Sequence, residues 1–181
     1  DSVCASITLH GETTGTLTGL NIDNNYEVYL RGVCDGEEDG YTAWYGPVIA
    51  HIGYCEPSPM RVDGQGIVEV SYGSRMSVNN TQHPTEAPFY GDYHTMVGVA
   101  SPGDTLQVDI TYSTTFGSVY TYGTIIWVDW NRDLEFSPFE VMYVGESDTT
   151  DPSVLHASFN IPTSAPTGLY RMRIAGASTG F

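Results

Sequence analysis

The run TIIWV, Thr124 to Val128, leads into DWNRDLEFSPFE, Asp129 to Glu140, and then into VMYV, Val141 to Val144. Both flanks are β-branched and aromatic and read as strands. Between them, oxygen-bearing groups fall at loop positions one, three, five, seven, nine and twelve: Asp129, Asn131, Asp133, Glu135, Ser137 and Glu140. That is the spacing with which a chain wraps a calcium ion (Ca2+). A loop held between strands offers no helix pair to swing open, so an ion here would brace the fold rather than signal. The plainer reading is a solvated acidic turn, and the regular spacing favours the metal.

Outward from this loop, strand-type segments separated by Gly, Asn, Asp, Ser and Pro recur along the chain without sustained helical periodicity. In DTLQVDITY, Leu106, Val108, Ile110 and Tyr112 share one face and Gln107, Asp109 and Thr111 the other, giving one buried and one wet side. In GTIIWVDW apolar residues fall on both faces, which places that strand inside a sheet with the acidic loop at its end. Tyr170, Met172 and Ile174 are expected to point inward, leaving Arg171 and Arg173 opposite to pair with acidic neighbours. SVCASITLH (Ser2 to His10) and YHTMVGVA (Tyr93 to Ala100) are read as strands too. The fold class is all-β: an antiparallel, jelly-roll-like β-sandwich. Two prolines within YCEPSP, Tyr54 to Pro59, mark a linker, so two domains are expected, residues 1–53 and 54–181.

Composition narrows the function classes. Twenty-two acidic residues face six basic ones, every one an arginine, for a formal net charge of -16. Such a surface repels nucleic acid and anionic membranes. It also gains from bound cations, although charge can serve solubility alone. Cys4, Cys34 and Cys55 lack the paired short spacing of a zinc site; one disulfide plus one thiol is the simplest account. No apolar run reaches the length of a membrane span, and no signal-peptide pattern opens the chain, so Asp1 is expected to be an internal or processed start. The histidines form no HExxH pair, no GxSxG elbow occurs, and no carboxylate pair stands out among so many acids. A non-catalytic protein is expected. A second acidic run, DGEEDG from Asp35 to Gly40, reads as a charged turn.

Two resemblances add to this reading. LTGLNIDNNYEVYLRGVC and AWYGPVIAH, with Leu17, Leu20, Tyr26, Val28 and Leu30, resemble the C-terminal half of a fibronectin type III domain of Bacteroidota secreted proteins, Tyr26 standing as the corner tyrosine. This implies a partial fibronectin type III-like sandwich at the N-terminus, whose first strands would lie before Asp1. From Tyr54 onward YCEPSP, VDGQGIVEVSYG, YGDY, TYGTIIWVDWNRDLEF and GLYRMRIAGASTGF resemble the GEVED domain, a secreted bacterial β-sandwich module whose final strand would follow Phe181. The resemblance implies a secreted or cell-surface setting, neighbouring domains of one longer polypeptide as partners, and no membrane insertion. It carries over Asp129, Asn131 and Asp133 as side-chain ligands. Glu135 would contribute a carbonyl, Ser137 a water-mediated contact and Glu140 a bidentate carboxylate. The family usually has glycine where this chain has Leu134, which predicts either another backbone path or weaker calcium binding.

The expected function is a calcium-stabilised β-sandwich module serving adhesion or domain spacing. A carbohydrate-binding module is the second reading, with Tyr41, Trp44, Tyr45 and Phe89, Tyr90, Tyr93 as stacking rings for a surface glycan. An accessory domain of an exported protease is the third.

Overall fold

The computed structural model describes residues 5–22, 24–33, 40–55, 57, 64–72, 76–79 and 90–178. The chain divides into two compact units, Asp1–Cys55 and Glu56–Phe181. The division falls inside the Tyr54 to Pro59 run, where proline interrupts ladder bonding.

In the first unit, β1 (Asn24–Leu30) and β2 (Tyr45–Ile52) form an antiparallel pair. Tyr26 stands opposite the small Ala50, and Val28 opposite Val48, where two β-branched side chains meet across the strands. The Asn21 N–H donates to the Tyr26 hydroxyl at 2.7 Å, fixing how the chain enters β1.

The second unit holds two antiparallel sheets arranged as a sandwich. One has the order β4-β3-β5-β8, built from β3 (Gln65–Tyr72), β4 (Met76–Asn79), β5 (Thr105–Thr114) and β8 (Ser153–Asn160). The other has the order β7-β6-β9, built from β6 (Tyr122–Val128), β7 (Val141–Glu146) and β9 (Met172–Ser178). Period-two alternation decides what each strand contributes. β5 turns Val108, Ile110 and Tyr112 inward, β6 turns in Tyr122, Ile126 and Val128, and β8 turns in Leu155, Ala157 and Phe159; together these nine make the core. Tyr170, Met172 and Ile174 pack against it, as their spacing indicates. The core is closed by the Tyr112 and Tyr122 rings, stacked 4.4 Å apart at 6°. Gly176 on β9 lies beneath Tyr112, whose ring and hydroxyl occupy the place a Cβ would take.

Two strand expectations are corrected. Residues 5–10 of the Ser2 to His10 run and all of Tyr93 to Ala100 lie outside strands. A strand exists only with a ladder partner, which propensity does not supply. In the second case the Met96 N–H turns back to the Tyr93 carbonyl at 2.8 Å, and Met96, Val97 and Val99 remain exposed. Cys4, Cys34, Asp35 to Asp39 and Phe89 lie outside the described residues. Among the described residues no helix is long and apolar enough to cross a membrane.

Candidate metal centre

β6 has a sheet neighbour on either side, and this burial carries over to the residue that follows it. Val128 pairs with Met172 on β9, and the Asp129 N–H extends the ladder to the Arg171 carbonyl at 3.0 Å. On the β7 side the register shifts between Ile126 and Trp127, just before the loop begins at Asp129. Asp129 is therefore 0 % exposed. A solvated turn does not describe this carboxylate.

From Asp129 the chain curls around its own oxygens. Asp129 Oδ1 accepts the Arg132 N–H at 2.6 Å and Oδ2 accepts the Leu134 N–H at 3.2 Å. Asn131 Oδ1 accepts the Asp133 N–H at 2.9 Å, and Asp133 Oδ1 accepts the Glu135 N–H at 2.9 Å. The Asn131 amide also donates to Asp133 Oδ2 at 2.7 Å. Short side chains folding onto the backbone two residues ahead hold a tight turn. The curl requires left-handed backbone at Arg132 (φ 61) and Leu134 (φ 69). Of the two outcomes expected at Leu134, another path is therefore set aside: leucine occupies the positive-φ geometry usually given to glycine, at a steric cost of roughly 1–2 kcal/mol.

Glu140 returns to the cluster from a single 3-10 turn, Pro138–Glu140, and is 5 % exposed. Desolvation pushes its carboxyl pKa upward. The Ser137 N–H and hydroxyl, each at 3.0 Å, with the Asn131 and Trp130 N–H groups, outweigh that burial and hold it below the ordinary glutamate value. Glu140 is thus a carboxylate at neutral pH.

Asp129, Asp133 and Glu140 each offer an oxygen within 4.8 Å of the others. Oxygens at roughly 2.3–2.6 Å from one calcium ion are separated by up to about 5 Å, so the spread suits a single hard cation, and the donor set is oxygen throughout. Asn131 reaches the group through Asp133. The Glu135 carboxylate is not one of the three clustered groups, and the Ser137 hydroxyl is directed to Glu140.

Two further loop residues, Arg132 and Trp130, tie the loop to the approach to β9. The Arg132 guanidinium lies 4.5 Å over the Tyr170 ring and donates to the Thr167 carbonyl at 3.4 Å. Trp130 packs against Tyr170 with centroids 4.8 Å apart, and its indole N–H points at the Met142 sulfur at 3.2 Å. Arg132 sits among the oxygen-bearing loop positions in sequence, yet nothing in the spacing named its partner. Of the two C-terminal arginines, Arg171 pairs with Asp92 at 3.4 Å, and Arg173 lies 4.5 Å over Phe136 and 5.8 Å over Tyr90.

The aromatic candidates divide between the units. Tyr41 and Trp44 are brought together in the first by Arg31, with Tyr29 added, and Tyr45 opens β2. In the second, Tyr90 is half-buried beside Arg173, whereas Tyr93 is exposed in its turn.

A model of the GEVED domain family matches residues 123–181, less than half of the 181-residue chain. The matched stretch holds nearly all of β6, the acidic loop and β7 to β9. No curated protein and no solved structure matches the chain.

Proposed function

We propose that the chain is a non-catalytic, calcium-stabilised part of a longer secreted or cell-surface polypeptide, serving adhesion or the spacing of neighbouring domains. The observation that carries this reading is the convergence of Asp129, Asp133 and Glu140 at the end of the central strand β6, two of them buried. Three carboxylates held this close repel one another, and a divalent cation offsets that repulsion while joining the end of β6 to the start of β7. Among the described residues the loop joins two strands, β6 and β7, rather than a pair of helices, so the gain is stiffness. The GEVED match over residues 123–181 supports a modular setting. The Asn21 contact to the Tyr26 hydroxyl supports a fibronectin type III-like first unit, in which a tyrosine hydroxyl reaches upstream backbone.

Calcium titration by calorimetry, with melting in excess calcium and in chelator, tests this. At about 100-fold excess over Kd, one site adds about 2.7 kcal/mol, which is on the order of 10 °C in Tm for a unit of this size. Proteolytic cleavage within residues 129–140 slows in parallel. Equal Tm and equal cleavage with and without calcium would refute it.

A further inference from the structure

We propose that the connection between β1 and β2 carries a binding platform for neutral glycans, in which Arg31, wedged against Tyr41 and Trp44, holds the Trp44 indole as the stacking surface. The Arg31 guanidinium carbon lies 3.7 Å from the Tyr41 ring centroid and 4.5 Å from that of Trp44. Tyr29 meets Trp44 edge-on, 6.4 Å away at 79°, and its own hydroxyl donates to Glu27 at 2.9 Å. The base of the connection is closed by two hydrogen bonds, Thr42 N–H to the Gly32 carbonyl at 3.0 Å and Gly32 N–H to the Thr42 hydroxyl at 2.7 Å, with Val33 bridged to Tyr41. Arg31 and the two rings therefore sit on paired backbone. Tyr41 remains 49 % exposed and Trp44 59 % exposed. Rings held against neighbours and wet elsewhere lose little side-chain freedom when a ligand arrives, which is the condition for a preorganised surface.

The chemistry of the cluster selects the ligand. An indole face takes the apolar C–H face of a pyranose ring. A guanidinium stacked on aromatic rings keeps its N–H groups in its own plane, free to donate to hydroxyl oxygens at the edge. The Glu27 carboxylate accepts from hydroxyls on the Tyr29 side. Charge decides between neutral and acidic glycans: the Glu27 carboxylate stands beside Tyr29, and the chain carries -16 overall. A uronate or sulfated chain is repelled, as is a nucleic acid.

Native gel electrophoresis of the 181-residue chain through soluble hydroxyethylcellulose, xyloglucan and galactomannan, with polygalacturonate as the acidic counterpart, tests the proposal. Retardation is expected in at least one neutral polysaccharide and not in polygalacturonate, unchanged by chelator because the platform lies in a different unit from the acidic loop. Trp44→Ala weakens it by roughly tenfold or more, as for a central aromatic anchor. Trp44→Phe, which keeps a ring in place and guards against misfolding, weakens it less, and Phe139→Ser in the second unit leaves it unchanged. Migration unaffected by all three neutral polysaccharides, retardation by the acidic one alone, dependence on calcium, or parent-like retardation of Trp44→Ala would each overturn it. Chelator thus separates this site from the calcium reading, which can fail without it.

Discussion

The hydroxyls of Tyr112 on β5 and Thr124 on β6 lie 2.6 Å apart, a hydrogen bond between the two sheets of the sandwich. Both residues are buried, and the stacked Tyr122 ring shields the pair. The position joins packing to polar satisfaction: one side chain fills the core while its polar end has a partner on the facing strand.

Tyr112→Phe keeps the ring and deletes one partner. Thr124 is then left with its 3.5 Å contact to the Tyr122 carbonyl, and the loss should be about 1–3 kcal/mol, the cost of a buried hydroxyl poorly satisfied. A fall of several degrees in Tm with an unchanged fold by circular dichroism is the expected result. Tyr112 also makes stability sensitive to alkali. Burial is the main cause that pushes its pKa from 10.0 up to about 12, against the lowering effect of the Thr124 bond. A raised tyrosine pKa contributes stability that is whole below pH 10 and is lost as pH climbs from there toward 12, because the unfolded chain releases its proton first. Alkaline melting of Tyr112→Phe should show a shallower decline over that window than the parent.

Leu134 separates strain from packing. Replacing it with glycine removes a left-handed penalty of roughly 1–2 kcal/mol, while the extra freedom of the unfolded chain costs about 0.5–1 kcal/mol. Relief wins by a small margin, so Leu134→Gly should raise Tm slightly. Leu134→Val should lower it, since β-branching is poorly tolerated at φ 69. A lower Tm for the glycine variant would show that the partly buried leucine side chain outweighs its own strain.

Glu140 and Asp133 contrast a buried carboxylate of the cluster with an exposed one. Glu140 accepts N–H groups from Trp130, Asn131 and Ser137, so Glu140→Gln turns an amide donor toward existing donors. About 1–3 kcal/mol should be lost even in chelator. Asp133 is exposed, and Asp133→Asn should leave stability in chelator within about 0.5 kcal/mol of the parent while reducing the calcium-dependent rise. Chemical denaturation of both variants, with and without calcium, measures the difference.

The sandwich was legible where one strand faces both core and solvent. Alternation in Asp104 to Tyr112 assigned the two sides of β5 as far as Tyr112, and the two-sided apolar pattern of Gly123 to Val128 placed β6 at the centre of its sheet. Tyr93 to Ala100 misled because β-branched and apolar composition measures fitness for a sheet without supplying the neighbour. The convergence of Asp129, Asp133 and Glu140 was legible because the spacing that brings them together is local in sequence. The contacts of Arg132 with Tyr170 and of Arg31 with Trp44 were not, since a cation over a ring leaves no periodic trace and depends on where the backbone brings two segments together.

Arg132 gives that point a measurable form. Its guanidinium lies over the Tyr170 ring, so the loop and the approach to β9 share one contact. A cation over an aromatic ring at a partly exposed site is worth about 0.5–1 kcal/mol. In a double-mutant cycle of Arg132→Gln and Tyr170→Leu, coupling of that size is expected in chelator, because the contact needs no ion. A bound calcium ion would neutralise the carboxylates that otherwise attract Arg132 and leave the guanidinium freer to stack, so the coupling should hold or rise when the ion is added. Coupling that vanishes in calcium would mean that the loop reorganises on binding, and the picture of a passive brace would have to be replaced by one in which residues 129–140 move.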